Sequence, residues 1–335
     1  LARVSLSVAG LIVGVAAGPE VKWVARLLLI SRYHFSCMQV IDMKNPSSRR
    51  QPQPPFPPQD LTPPGQESRM DPRPRYEAPA YRAADKLRGR VALVTGGDSG
   101  IGRAVAVLFA REGADVALVF LDVECDDARQ TREAIEEAGA SALLIPGDIS
   151  DPGFCRQAVE DTVERFGRLD VLVNNAAYQK HRPSLQDISD EQLEHTFNVN
   201  ILGYFRMARH AVQHMQPGSA IINTGSITGL EGSAHLLDYS ATKGAIHAFT
   251  KSLASNLVDQ GIRVNCVAPG PVWTPLNPAE RSDEEIEQFG AETPMGRPAQ
   301  PEEVAPAYVF FASGADSGFI SGHVLTVLGG DTIAG

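Results

Sequence analysis

From about residue 88 onward, short apolar runs alternate with amphipathic stretches along the chain. "RVALVTGG", "DVALVFL", "SALLIPGD", "LDVLVNNAA", "SAIINTGS", "IRVNCVAPG" and "GHVLTVLGG" are runs of strand length, rich in Val, Ile and Leu. Between them, stretches such as "AVAVLFAREG", "ARQTREAIEEAG" and "FCRQAVEDTVERFG" have helical character. Strands that are continuously apolar, rather than alternating, are buried on both faces, as in a parallel sheet covered by helices on each side. Right-handed crossovers then give a doubly wound α/β sheet. Residues 88–335 supply ample chain for one core, and no second domain is evident. In such sheets ligands bind beyond the carboxyl ends of the strands, so those ends hold the candidate residues.

The N-terminal part is different. "LSVAGLIVGVAAG" (6–18) is too short to span a bilayer as a helix. It has the length of a signal-peptide core, with Arg3 as the only preceding charge, which keeps secretion open. We read residues 1–45 as a leader, the part up to about residue 42 being an over-extended reading frame with Met38 or Met43 as the start. Residues 46–79 hold eleven of the 24 prolines and almost no apolar content. Such a segment is expected not to pack a core, so 46–87 reads as an extended or disordered Pro-rich arm before the catalytic domain at 88–335. A proline-recognition ligand is the other reading of that stretch.

Charge narrows the function. The formal net charge is -10, and with +5 on residues 1–50 the remainder carries about -15. That argues against nucleic acid as a partner. Cys37, Cys125, Cys155 and Cys266 are scattered, with no C-x-x-C and no metal-ligand spacing. A reduced, cytoplasmic protein with no metal, no membrane partner and a small-molecule substrate is the expectation.

Three strand ends carry chemistry. "VTGGDSGIG" joins the first strand to a helix, and a glycine loop at a helix N-terminus can cradle a phosphate. Its spacing is Gly96-x-x-x-Gly100-Ile101-Gly102 rather than G-x-G-x-x-G, and taken alone it could merely join strand to helix. "LVNNAA" ends the fourth strand. "DYSATKGA" puts Tyr239 and Lys243 four apart at the start of a helix, hence on one face. An isolated Y-x-x-x-K is ordinarily a surface pair, but an ammonium beside a phenol also favours the phenolate.

With these three motifs in order, residues 88–335 resemble the short-chain dehydrogenase/reductase family. The arm "PPGQESRMDPRPRYEAPAY", with "GGDSGIGRAVA" and "TPMGRPAQPEEVA", resembles its bacterial general-stress and glucose/ribitol dehydrogenase-like branch. The resemblance implies a Rossmann-type fold, NAD or NADP as cofactor, and a homotetramer. It implies Tyr239 as general acid/base, its pKa lowered by Lys243 and by the oxidised nicotinamide. Lys243 would also bind the nicotinamide ribose. Ser226 in "NTGSITG" would hold the substrate oxygen, with Thr224 and Thr228 as decoys, and Asn200 in "FNVNILG" would hold a water of the proton relay.

For the cofactor, the resemblance implies Gly96, Ser99, Gly100, Ile101 and Gly102 at the phosphates, and Asp148 with Ile149 at the adenine. As a lone residue Asp148 would instead cap the following helix. Asn175, Ala176 and Ala177 would border the dinucleotide, Ala177 replacing the family's usual glycine, while Asn174 stabilises the sheet. Pro269, Gly270, Val272 and Thr274 would face the carboxamide. An acid after the second strand selects NAD, and a base there selects NADP. Phe120 and Leu121 stand at that point, with Asp122 after them and Ser99 in the loop where NADP enzymes often carry a base. The absence of a phosphate-binding Arg or Lys makes NAD slightly preferred, although Arg103 could still reach a 2′-phosphate.

The polar stretch 274–302 is expected to form a helical lid or a plain surface excursion, with Tyr178, Gln179, Leu230, Glu231 and Trp273 as candidate walls for a sugar, polyol or small aldehyde. "SGHVLTVLGG" resembles the family's inter-subunit strand, although Leu328 stands where many members have Asp. The competing reading is a dinucleotide-binding sensor or scaffold without catalysis, which leaves the full Asn-Ser-Tyr-Lys set unexplained. Dehydratases and epimerases share the fold, but the short lid and that set favour simple redox chemistry.

Overall fold

The computed structural model describes residues 51–332. The expected leader and the start of the arm at 46–50 lie outside the described residues. Seven parallel strands make one sheet in the order β3-β2-β1-β4-β5-β6-β7. They are β1 (Val91–Thr95), β2 (Asp115–Phe120), β3 (Ala142–Pro146), β4 (Val171–Asn174), β5 (Ala220–Thr224), β6 (Arg263–Pro269) and β7 (Val324–Val327). Every residue of β1, β4, β5 and β6 is buried, which is why those runs are mainly apolar rather than alternating.

Helices cover both faces. The helices used below are α1 (Gly100–Arg111), α2 (Cys125–Glu137), α3 (Pro152–Phe166), α4 (Asp190–Phe197), α5 (Gly203–Ala211), α6 (Thr228–Glu231), α7 (Leu237–Leu257), α8 (Asp283–Glu287) and α9 (Pro301–Ala312). One core joins α1 and α9 to the sheet through Val105, Phe109, Tyr308 and Val309. The other joins α3, α5 and α7 through Val159, Tyr204, Met207 and Ile246. α3 has local start and stop signals: Asp151 caps it by accepting from the Gly153 N–H at 2.7 Å, Pro152 opens it, and Gly167 closes it in the left-handed region. The cap is thus Asp151, while Asp148 accepts from the Ser150 N–H in a turn.

The arm corrects the expectation that it would not pack. It has little regular structure beyond one turn at Glu67–Arg69, yet Phe56 and Met70 are buried. Together with Trp273, Ile286 and Phe289 they make a small third core. Phe56 stacks on Trp273 with centroids 4.1 Å apart, and its N–H donates to the Glu287 carbonyl. The Trp273 Nε1–H donates to the Pro72 carbonyl at 2.7 Å. Two apolar side chains in a proline-rich stretch suffice, because the lid offers a preformed aromatic surface. The sheet order reverses between β1 and β4, and beyond the carboxyl ends there lies the site.

Candidate active site

A cleft of about 620 Å³ runs across the carboxyl ends of the strands, a size suited to a cofactor with a small substrate. Its floor is the loop after β1. Gly96 and Gly100 have φ of +62° and +51°, and a side chain on Gly100 would collide with Thr274. The loop thus needs glycine both for its turn and for close approach across the cleft. Gly96, Ser99, Gly100 and Ile101 line the cleft. Gly102 does not; a Cβ there would fall 1.8 Å from the Gly96 carbonyl oxygen, so it sets helix-to-loop packing.

Asn175 fastens this loop to β4. Its Nδ2 donates to the carbonyls of Thr95 and Gly96 at 3.2 and 3.0 Å, and its Oδ1 accepts from Thr224 Oγ1. Ala176 and Ala177 continue the wall beside it. Asn174 Nδ2 donates instead to Asn223 Oδ1 on the neighbouring strand, deep in the sheet. Asp148 and Ile149 line the cleft beyond β3, and Pro269, Gly270, Val272 and Thr274 line it beyond β6.

At the centre, α7 presents Tyr239 and Lys243 to the cleft. The Lys243 Nζ donates to the Thr224 carbonyl at 2.8 Å and lies 5.3 Å from the centre of the Tyr239 ring. The first turn of α7 is pinned through Asp238, whose Oδ2 accepts from Thr196 Oγ1 and Gln192 Nε2 of α4 and whose Oδ1 accepts from the Tyr239 N–H. Ser226, just past β5, accepts from both the N–H and the Oγ1 of Thr228. Its own hydroxyl proton is left to donate, and the Tyr239 phenol oxygen is the acceptor beside it.

The charge states differ from expectation. Burial pushes the Tyr239 phenol up to about 12, with the Ser226 hydrogen bond partly opposing it. Burial likewise pushes the Lys243 ammonium down to about 8. In this state desolvation outweighs the expected lowering of Tyr239 by Lys243, since each buried group favours its neutral form. Tyr239 is therefore a protonated donor at neutral pH.

Asn200 is completely buried within a π-helical turn, Asn198–Leu202, between α4 and α5. Such turns recur at functional sites. Its Oδ1 accepts from the Tyr178 N–H, while its Nδ2 donates to the Tyr178 carbonyl and to Thr242 Oγ1. Both amide hydrogens thus brace the loop after β4 against α7.

Several predicted residues lie elsewhere. Asp122 is exposed and off the cleft, because a 3₁₀ turn, Asp122–Glu124, follows β2 and brings Glu124 to the wall instead. Burial first, and then the neighbouring Asp98, push the Glu124 carboxyl up to about 8, and burial raises Asp98 to about 6. Arg103 is buried and held by Glu67 of the arm, so it does not reach into the cleft. Burial pushes Glu67 itself up to about 7 against the pull of Arg103. Trp273 is fully buried under the arm and is no substrate wall; Leu230 and Glu231 are exposed outside the cleft. Tyr178 and Gln179 do line it, as do lid residues Glu280, Arg281, Glu285, Gln288 and Glu292. His195, which packs edge-on to Tyr178 at 4.4 Å, and Pro63 and Pro64 of the arm also line it without any signal in the sequence.

The cleft fits a dinucleotide on its own terms: its floor is a glycine loop at the start of α1, where helix N–H groups can meet a phosphate. Comparison with known proteins agrees. A family model described as enoyl-(acyl carrier protein) reductase matches residues 96–332. The chain is 54% identical over 271 residues to the uncharacterized oxidoreductase YhdF of Bacillus subtilis, covering 81% of this chain and 93% of that protein. It is 52% identical over 286 residues to the glucose and ribitol dehydrogenase of Daucus carota, covering 84% and 98%. Among solved structures, a short-chain dehydrogenase from Burkholderia cenocepacia in complex with NADP superposes with a TM-score of 0.68 at 34% identity, covering 73% of this chain and 98% of that one. The chain therefore belongs to the short-chain dehydrogenase/reductase family of NAD(P)-dependent oxidoreductases.

Proposed function

We propose that Tyr239 is the general acid/base for reversible interconversion of a small neutral alcohol and its carbonyl compound. The observation that carries this is the meeting of the buried Tyr239 phenol and the Ser226 hydroxyl in the cleft, with Lys243 tethered beside them. Ser226, whose lone pairs Thr228 engages, donates to the substrate oxygen and fixes its place. Tyr239, protonated at neutral pH, gives its proton to that oxygen during reduction and recovers it during oxidation. Lys243 binds the nicotinamide ribose, and Asn200 keeps the Tyr178 loop and α7 in register. When bound, the nicotinamide supplies or accepts the hydride. Gly96, Ser99, Gly100 and Ile101 receive the phosphates, Asp148 and Ile149 the adenine, and Pro269, Gly270, Val272 and Thr274 the carboxamide side.

The lid wall carries Glu280, Glu285 and Glu292 against the single guanidinium of Arg281. That balance suits a polyhydroxy neutral substrate over a phosphorylated or carboxylated one. The similarity to the glucose and ribitol dehydrogenase of carrot supports a sugar or polyol, with small aldehydes in the reducing direction. NAD is the preferred cofactor in this reading. Its support is that Glu124 lines the cleft after β2, while no Lys or Arg from that loop, the glycine loop or the β3 end does so. The exposed Leu202 and Phe205 on the π-turn and α5, the latter stacked on Phe249, support a homotetramer. The enzyme would work in the cytoplasm, where Cys125, Cys155 and Cys266 stay as thiols.

The test is absorbance of the reduced nicotinamide. NAD and NADP are offered with sugars, polyols and alcohols, and NADH and NADPH with aldehydes, while light scattering reports the oligomer. Turnover on neutral polyols or aldehydes supports the reading. Tight dinucleotide binding with no turnover across the panel would overturn it in favour of a sensor.

A further inference from the structure

The arm reaches the glycine loop with a charge. Glu67 is 2% exposed; its Oε2 accepts from the Gly100 N–H at 2.6 Å, and its Oε1 accepts from Arg103 Nη1 at 2.6 Å. The Glu67 and Ser68 N–H groups both donate to the Asp127 carboxylate on α2, which fixes the segment. Four residues earlier, Pro63 and Pro64 stand in the wall of the cleft. The arm is thus part of the site and not merely attached to the body.

Arg103 lies in the first turn of α1, at the helix end where N–H groups, dipole and guanidinium would together attract anions. Instead, every arm of that guanidinium is engaged. Its Nε donates to the Asp98 carbonyl and to Thr131 Oγ1, and its Nη2 donates to the Asp127 carbonyl. The Glu67 carboxylate supplies the nearer counter-charge at 2.6 Å, and Asp127 Oδ1 lies 3.5 Å from Nη2. The Ser99 side chain makes no capping bond at this helix start, and the first N–H of the helix, that of Gly100, is met by the arm.

We propose that Glu67 is a specificity-determining residue for the dinucleotide: by holding and neutralising Arg103 it withholds that cation from a 2′-phosphate on the adenosine ribose and favours the unphosphorylated cofactor. This rests on the reading that the cleft takes a dinucleotide. The sign follows from charge balance. A 2′-phosphate brings about two negative charges at pH 8. With Glu67 ionised, these meet a buried group in which the Glu67 and Asp127 carboxylates more than balance Arg103. Without the Glu67 carboxylate that group is one unit more positive, with Asp127 still paired to Arg103, and the phosphorylated ligand gains more from the change than the unphosphorylated one.

The experiment uses the full chain at pH 8, where the carboxyl of Glu67 is ionised. Calorimetry measures binding of ADP-ribose and of 2′-phospho-ADP-ribose, and kcat/KM is taken with NAD and NADP. Glu67→Gln should raise the ratio of phosphorylated to unphosphorylated binding at least tenfold. Arg103→Met should lower that ratio at least threefold, because it leaves the opposite charge behind. Damage to the loop would move both ligands together, so opposite shifts in the two variants separate charge from structure. Should one variant fail to fold, the shift in the other decides. Unchanged ratios, or shifts of the same sign, overturn the proposal and leave Glu67 as a brace. Wild-type protein that binds neither fragment sinks the dinucleotide reading, and this proposal with it.

Discussion

The two ends of the cleft are built on opposite principles. Where α7 meets β5, the chemistry sits on rigid elements: Tyr239 and Lys243 share a buried helical face, and the Thr224 carbonyl at the end of a fully buried strand holds the lysine. Beyond β2, the wall is assembled from pieces far apart in the chain: a 3₁₀ turn with Glu124, the glycine loop with Asp98, and the arm with Glu67 and Pro63. In the proposed function the first end positions a proton donor and the second sets a local charge. Side chains on one helix face are fixed by the helix itself, whereas a charge balance requires several segments to be docked at once.

The comparison is tested hardest at the rigid end. Tyr239→Phe removes the proton and leaves the ring in its place. We expect kcat to fall by roughly 10²–10⁴-fold, the usual worth of a positioned acid/base. Dinucleotide affinity should stay near wild type, because Lys243 keeps its bond to Thr224. Titration of protein fluorescence with NADH, beside steady-state rates, separates the two effects. Loss of both together would mean that Tyr239 holds the site's shape instead of its proton.

At the assembled end the largest effect should be on docking. Trp273 is fully buried between Phe56 of the arm and Phe289 of the lid. Trp273→Ala should cost about 3–5 kcal/mol of stability. It should also expose residues 51–72 to protease before the body unfolds, since the body's two main cores do not include Trp273, whereas Ala78 and Leu87 are packed in one of them. Urea denaturation and limited proteolysis check this. Unchanged protease resistance of the arm would mean that its polar contacts alone, such as Glu67 and Arg111, hold it down.

The same contrast governs what could be read from the chain. The seven strands are legible because burial on both faces demands continuous apolar runs, and Tyr239, Lys243 and Ser226 are legible because they sit at fixed offsets on a helix and a strand end. Glu124 is not: a 3₁₀ turn after β2 advances the wall by two residues past Asp122, and nothing in "LDVEC" announces it. The π-turn that buries Asn200 has no composition of its own. The arm was misjudged because counting apolar residues measures whether a segment can make its own core. It does not measure whether Phe56 and Met70 can complete one belonging to the lid.

Smaller effects follow from the pKa shifts. The Tyr239 phenol is pushed up to about 12, so the group is protonated over the working range and suited to reduction without adjustment. Oxidation of an alcohol needs the phenolate, so its rate should climb with pH from 7 to 10 while carbonyl reduction stays nearly flat. Rate profiles in both directions check this. A flat oxidative profile would mean that a bound cofactor lowers the phenol well below its value in the free protein.

The smallest effect belongs to Glu124. Its folded-state carboxyl is raised to about 8 by burial and by Asp98, above its ordinary value of 4.5. The folded protein therefore binds a proton that the unfolded chain has released between those two values. That contribution is complete below pH 4.5 and is lost as pH rises through 8. Glu67 and Asp98, raised to about 7 and 6, act in the same direction, so melting temperature should fall between pH 5 and pH 9. Glu124→Gln should flatten the upper part of that decline, above pH 7, and weaken NAD by about threefold to tenfold through loss of a carboxyl hydrogen-bond partner. The Leu121 N–H, which now donates to Glu124 at 3.0 Å, can still find the amide oxygen, so the turn after β2 should survive the change. If the decline above pH 7 persists in the variant, the strain at this end of the cleft lies between Glu67 and Asp98, and the arm rather than the turn sets the charge.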